Sequence, residues 1–116
     1  YEAFLASHDC SFIMGGDSAG GGLTAVVAQM ARDRDLRPAA GLLLVCPWLD
    51  GSGDHPDQIA VEQRDCILTL NGIRTAAKLY AQDLPIEDPR VSPIQVLKPI
   101  VRGPMPGSGS SSRSPR

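Results

Sequence analysis

The sequence predicts an α/β chain built on one βαβ unit of a parallel sheet. Three observations predict it. An apolar run, Cys10 to Met14, stops at glycines and reads as a short buried strand. An amphipathic run follows, with Leu23, Val26, Val27, Met30 and Ala31 on one helix face. A second apolar run, Gly41 to Cys46 (GLLLVC), has no alternation, so it is expected to be a strand buried on both faces. Strand, helix and strand fall within about 35 residues, the span of a right-handed crossover.

The flanking elements follow the same logic. Tyr1, Phe4 and Leu5 have helical spacing, as in the tail end of a helix, and His8-Asp9 is a polar loop. Arg32 to Arg37 is expected to be a solvated helix end, and Pro38 prevents continuation. Pro47-Trp48-Leu49-Asp50 follows the second strand. Gly51 to Asp57, rich in Gly, Asp and Pro, is a loop. Ile59 to Gln63 has room for one or two helical turns. Thr69 is an N-cap candidate for a second helix that carries Leu70, Ile73, Ala77 and Tyr80, its first turn weakened by Asn71 and Gly72. Asp83 to Pro99 is punctuated by prolines and expected to be extended and irregular. Gly103 to Arg116 is almost all Gly, Pro, Ser and Arg and cannot repay its ordering entropy. The chain therefore divides into a folded part, residues 1–98, and a disordered tail, residues 99–116.

Composition excludes several classes. The net charge of −2 offers no basic surface for nucleic acid. No apolar run approaches the ~20 residues of a membrane span. Cys10, Cys46 and Cys66 are odd in number and form no C-x-x-C pair, so neither a zinc site nor a disulfide framework is expected. Cys10 and Cys46 border apolar runs and are expected to be buried thiols. A reducing, cytoplasmic compartment fits this usage. No cofactor and no metal site are expected, and the sequence is silent on oligomeric state.

The chemistry concentrates in Gly15–Gly22. Gly16-Asp17-Ser18-Ala19-Gly20 fits G-x-S-x-G between a strand and a helix, which places Ser18 as a nucleophile on a sharp elbow. A serine hydroxyl needs a base to take its proton. The tight turn lifts the hydroxyl clear of the backbone. It also aims the Ala19 N–H, at the start of a helix, toward a developing oxyanion. Gly16 and Gly20 are expected to permit the turn and the close approach of strand and helix. A phosphate-binding turn is the first competitor; its lysine and its middle glycine are missing. The GDSGG sequence of chymotrypsin-like proteases is the second; Ala19 replaces a glycine, and an all-β barrel has no place for the helix.

A base is harder to find. His8 precedes the first strand and lies roughly 16 Å from the elbow along five strand residues. His55 follows the second strand, on the carboxyl edge that also holds Ser18, so a Ser18–His55–Asp50 set is conceivable. The expectation is instead that His55 is a solvated loop residue, that Asp50 makes a local backbone bond, and that Asp17 belongs to the motif. Trp48 is expected in the core or in a pocket wall, and Tyr80 in packing.

The stretch FIMGGDSAGGGLTAVVAQMARDRD resembles the α/β-hydrolase fold-3 family, the hormone-sensitive-lipase-like esterases. LLLVCPWLD, LTLNGIRTAAKLYAQ and DPRVSPI resemble the segments that follow the elbow there, in the same order. The resemblance covers roughly residues 1–98. It implies a doubly wound sheet, a Ser-Asp-His triad and hydrolysis of carboxylic esters, often with short acyl chains. Ser18 would be the nucleophile, the Ala19 N–H an oxyanion donor, and a small-molecule ester the partner. Three departures set the expectation for this chain. The HGGG-type segment would lie before Tyr1. The pattern is left after Leu97, before the triad Asp. The His would come later still. The chain reads as the central part of an esterase, truncated or frameshifted near Lys98 and inactive alone, with a non-catalytic, complementing remnant as the alternative.

Overall fold

The computed structural model describes residues 1–96. Two parallel strands, β1 (Ile13–Asp17) and β2 (Gly41–Val45), pair in register from Ile13 opposite Gly41 to Asp17 opposite Val45. The helix α2 (Ser18–Asp33) links them, so the predicted βαβ unit is present. A short helix α1 (Glu2–Ser7) precedes it. After β2 come α3 (Pro56–Val61), a 3₁₀ turn at Glu62–Arg64, and α4 (Leu70–Ala81). Among the described residues no helix is long and apolar enough to cross a membrane.

Several boundaries moved. α3 starts at Pro56, inside the expected loop Gly51 to Asp57, because His55 caps it and proline suits a first helical turn. The first strand occupies Ile13–Asp17 rather than Cys10–Met14, because Gly15 and Gly16 pair with Leu43 and Leu44 instead of ending the strand. Glycine is tolerated in a strand where another backbone comes close. A Cβ on Gly15 would stand 3.2 Å from the Leu43 carbonyl oxygen. The helix α2 starts at Ser18, so Gly20, Gly21 and Gly22 lie inside its first turn and a half.

Packing is one-sided. In a parallel pair, Met14, Gly16, Leu42 and Leu44 share a face, and α2 lies over it. Tyr1 and Phe4 of the α1 region pack edge-on against Phe12. The core is small: Ala25, Val26 and Ala31 of α2, Leu70, Ala77 and Ala81 of α4, and Val91. The opposite sheet face is bare, with Ile13 71%, Leu43 63% and Val45 51% exposed. This corrects the reading of GLLLVC as a strand buried on both faces. Burial on both sides needs helices on both sides, and the described residues place them on one. Cys10 and Cys46, which lie just outside β1 and β2, are exposed, against expectation.

The helix ends also differ in detail. Arg32 and Arg34 make exposed ion pairs, with Asp33 and Glu2. Arg37 is not merely solvated. Its guanidinium donates to the carbonyls of Cys10 (2.8 Å) and His8, pairs with Asp9 at 3.5 Å, and lies over the Phe12 ring. It ties the loop before β1 to the loop before β2. Thr69 caps α4 as expected, its hydroxyl accepting the Gly72 N–H at 3.1 Å. The proline-rich segment folds back across the molecule. The Ile94 N–H donates to the Leu49 carbonyl at 3.1 Å, and the Gln29 amide donates to the Pro93 carbonyl at 3.2 Å. The disorder expected of residues 99–116 lies outside the described residues.

Candidate active site

β1 passes into α2 with no intervening residue: Asp17 ends the strand and Ser18 begins the helix. One residue must therefore turn the chain. Ser18 does so with φ 50°, in the left-handed region. For a residue with a Cβ this conformation costs on the order of 1–3 kcal/mol, a strain found at functional turns. The side chain of Ser18 is exposed at the carboxyl edge of the sheet.

The glycines divide by what they touch. A Cβ on Gly16 would stand 2.3 Å from the Gly20 carbonyl oxygen, so the inside of the elbow admits only hydrogen. A Cβ on Gly21 would stand 2.8 Å from the Pro47 side chain, and one on Gly22 would stand 2.3 Å from the Trp48 carbonyl oxygen. These two let the turn after β2 lie against the first turn of α2. Gly20, expected to share the role of Gly16, has open space where its Cβ would be. What the elbow uses is the Gly20 carbonyl, which also accepts the Thr24 hydroxyl at 2.8 Å.

The backbone N–H of Trp48 donates to the Ser18 carbonyl at 2.8 Å. The Trp48 indole N–H donates to the Asp50 carbonyl at 2.7 Å. Trp48 also forms a wall of an apolar cavity of about 100 Å³, together with Ala19, Leu23, Val26, Tyr80 and Pro93. The pocket-wall reading of Trp48 agrees with this, whereas Tyr80, expected in packing, lines the cavity with 49% of its surface exposed. The cavity adjoins Ala19, the residue after the elbow serine.

Neither histidine approaches Ser18 through a hydrogen bond. His55 caps α3, its Nδ1 accepting the Asp57 N–H at 3.3 Å, and its side chain is 61% exposed. Asp50 accepts the Ser52 N–H at 2.9 Å, the local turn bond anticipated for it. Asp54 pairs with Arg74 at 2.9 Å. His8 bonds the Ser7 hydroxyl and stacks on Phe4. Asp17 makes no side-chain cap bond. Among the described residues no group of three or more His, Cys, Asp or Glu stands together as metal ligands do.

The segment Asp88–Pro93 supports the site from behind. The Asp88 carboxylate accepts the Arg90 N–H and guanidinium at 2.8–2.9 Å. The Arg90 side chain, and then the Arg90 backbone N–H, hold the Asp88 carboxyl down at a pKa of about 2. Ser92 is fully buried, its hydroxyl bonded to Gly51 and Ile86. Sequence reasoning singled out neither Ser92 nor the Gly21–Gly22 contacts. The run of three glycines after Ala19 was the available signal for the latter.

A strand, a one-residue elbow at a serine, and a helix whose first turn is cleared by glycines define a hydrolase-type α/β topology. A family model described as alpha/beta hydrolase fold matches residues 4–105. The chain belongs to this family, and the solved structures it resembles are hormone-sensitive-lipase-like esterases. The match runs past Leu97, where the resemblance seen in the sequence stops. EstE7, a hormone-sensitive-lipase homologue from a metagenome library, superposes with TM-score 0.76 at 28% identity, over 82% of this chain and 33% of its own. A hormone-sensitive lipase from a metagenome library gives TM-score 0.68 at 29% identity, over 72% of this chain and 28% of its own. LipR of Mycobacterium tuberculosis, named as an acetyl-hydrolase, is 53% identical over 38 residues, 33% of this chain and 12% of its own. The chain spans about a third or less of each relative's length.

Proposed function

We propose that this chain carries the nucleophile portion of a serine esterase that hydrolyses carboxylic esters. Ser18 attacks the ester carbonyl, the alcohol leaves, and water releases the acid from the acyl-enzyme. The Ala19 N–H is one oxyanion donor. The observation that carries this reading is the left-handed Ser18 at a strand–helix junction with no room for a Cβ at Gly16. The esterase and lipase names of the relatives support the substrate class. No cofactor enters this chemistry.

The 116-residue chain alone turns over negligibly. His8 and His55 are both engaged elsewhere, and removing the triad's other members leaves only residual catalysis. The bare face and open edges of the described sheet favour a second role for the isolated chain, as a non-catalytic piece that functions when complemented by further helices and strands. A fluorophosphonate probe tests this. The purified chain is expected to label slowly, with any labelling lost in Ser18→Ala. Rapid labelling abolished by His55→Ala would overturn the negligible-turnover reading and install His55 as the base.

A further inference from the structure

The oxyanion donor and the elbow carbonyl are two ends of one peptide unit. A trans peptide is planar, and its C=O and N–H point in opposite directions. Whatever holds the Ser18 carbonyl therefore aims the Ala19 N–H. Within α2 the helix ladder directs that carbonyl; the holder from outside the helix is the Trp48 backbone N–H, at 2.8 Å. Trp48 can reach it because Gly22 has no Cβ, which would collide with the Trp48 carbonyl oxygen.

The Trp48 turn is held in its own right. The Ser92 hydroxyl accepts the Gly51 N–H at 2.9 Å and donates to the Ile86 carbonyl at 2.6 Å. The Leu49 carbonyl accepts the Ile94 N–H at 3.1 Å. Ser92 is fully buried, so water cannot replace either of its bonds. Gly51 packs closely here: a Cβ on it would lie 3.1 Å from Ala77 and 3.4 Å from the Ser92 hydroxyl.

We propose that Ser92 is a positioning residue for the oxyanion donor: through the Gly51 N–H it holds the turn whose Trp48 N–H orients the Ser18–Ala19 peptide. The role rests on Ala19 being the oxyanion donor, but the geometry is testable without turnover. Ser92 touches no reacting atom. It acts at a distance, through one side-chain bond and one backbone bond.

Nuclear magnetic resonance of the 116-residue chain reads this directly. In the wild type, a coupling across the hydrogen bond from the Trp48 nitrogen to the Ser18 carbonyl carbon is expected. In Ser92→Ala that coupling should weaken and the Ala19 amide resonance should shift, more than the amides of α4. Leu70→Ala removes buried packing away from the cavity that Ala19 lines, and should leave Ala19 in place. Absence of the wild-type coupling overturns the proposal. So does an unmoved Ala19 in Ser92→Ala, or an equal shift in Leu70→Ala. If Ser92→Ala does not fold, Gly22→Ala decides, because it displaces Trp48 from the helix; an unmoved Ala19 there overturns the proposal. No readout requires Ser18 to react, so the fluorophosphonate result and this one fail separately.

Discussion

Ser18 holds a backbone conformation that most residues avoid, and its neighbours differ sharply in how they permit it. Gly16 is hemmed in by the Gly20 carbonyl, whereas Gly20 faces open space. Gly16→Ala is therefore expected to destabilise the chain by about 1–3 kcal/mol, the usual consequence of forcing an atom into a filled site. Gly20→Ala should be neutral or stabilising by up to about 1 kcal/mol, because alanine is the better helix former. Urea titration of the two variants checks the contrast, and equal losses would show that the elbow does not have this shape. From the motif alone the two glycines looked equivalent. Only the position of the Gly20 carbonyl separates them, since a pattern of residue types does not record which atom occupies the space beside each one.

At the scale of elements, the segment after α4 behaves as a built loop rather than an irregular connection. The Asp88 carboxylate holds Arg90, while the Asp88 carbonyl accepts the N–H groups of Val91 and Ser92. The folded pKa of Asp88, about 2, lies below its ordinary 3.8. The sign follows from linkage: the unfolded chain binds the proton more readily, so Asp88 stabilises the fold above the ordinary value. That contribution falls away as pH drops from about 4 through about 2. Stability measured against pH should decline across this window, and Asp88→Asn should remove part of the decline while leaving neutral-pH behaviour less stable than wild type. A pH profile in Asp88→Asn identical to wild type would count against the loop's dependence on this carboxylate. Helix α4 was legible in the sequence because its signals are local: Thr69 as cap and apolar residues at helical spacing. The Ser92 anchor was not, because its partner Gly51 lies 41 residues away in the chain.

Across the whole molecule, the dominant fact is the uncovered sheet face. Among the described residues, Ile13, Leu43 and Val45 are exposed side by side on a two-stranded sheet whose edges are also open. Exposed apolar faces and unpaired strand edges promote association. The purified chain is expected to self-associate as its concentration rises, and Leu43→Lys should reduce this by placing a charge at the centre of the face. Sedimentation at several concentrations checks it; a chain that stays monomeric at high concentration, wild type and variant alike, would show that this face is not adhesive. The absence of alternation in GLLLVC predicts a strand buried on both faces. Residue pattern reports the environment a strand is suited to, and the described residues supply half of it.

What the sequence by itself determined is the order of elements and the identity of the turn. Hydrophobic period, glycines, a cap and a G-x-S-x-G pattern are local, and local geometry follows from them directly. The tertiary structure decided which glycines are sterically required, that Cys10 and Cys46 are exposed, and that Arg37 laces two loops. It also joined Ser92 to the Ser18–Ala19 peptide through Gly51 and Trp48. Each of these depends on atoms brought together from distant parts of the chain. Such contacts depend on how the elements pack, and no short run of residues encodes that packing.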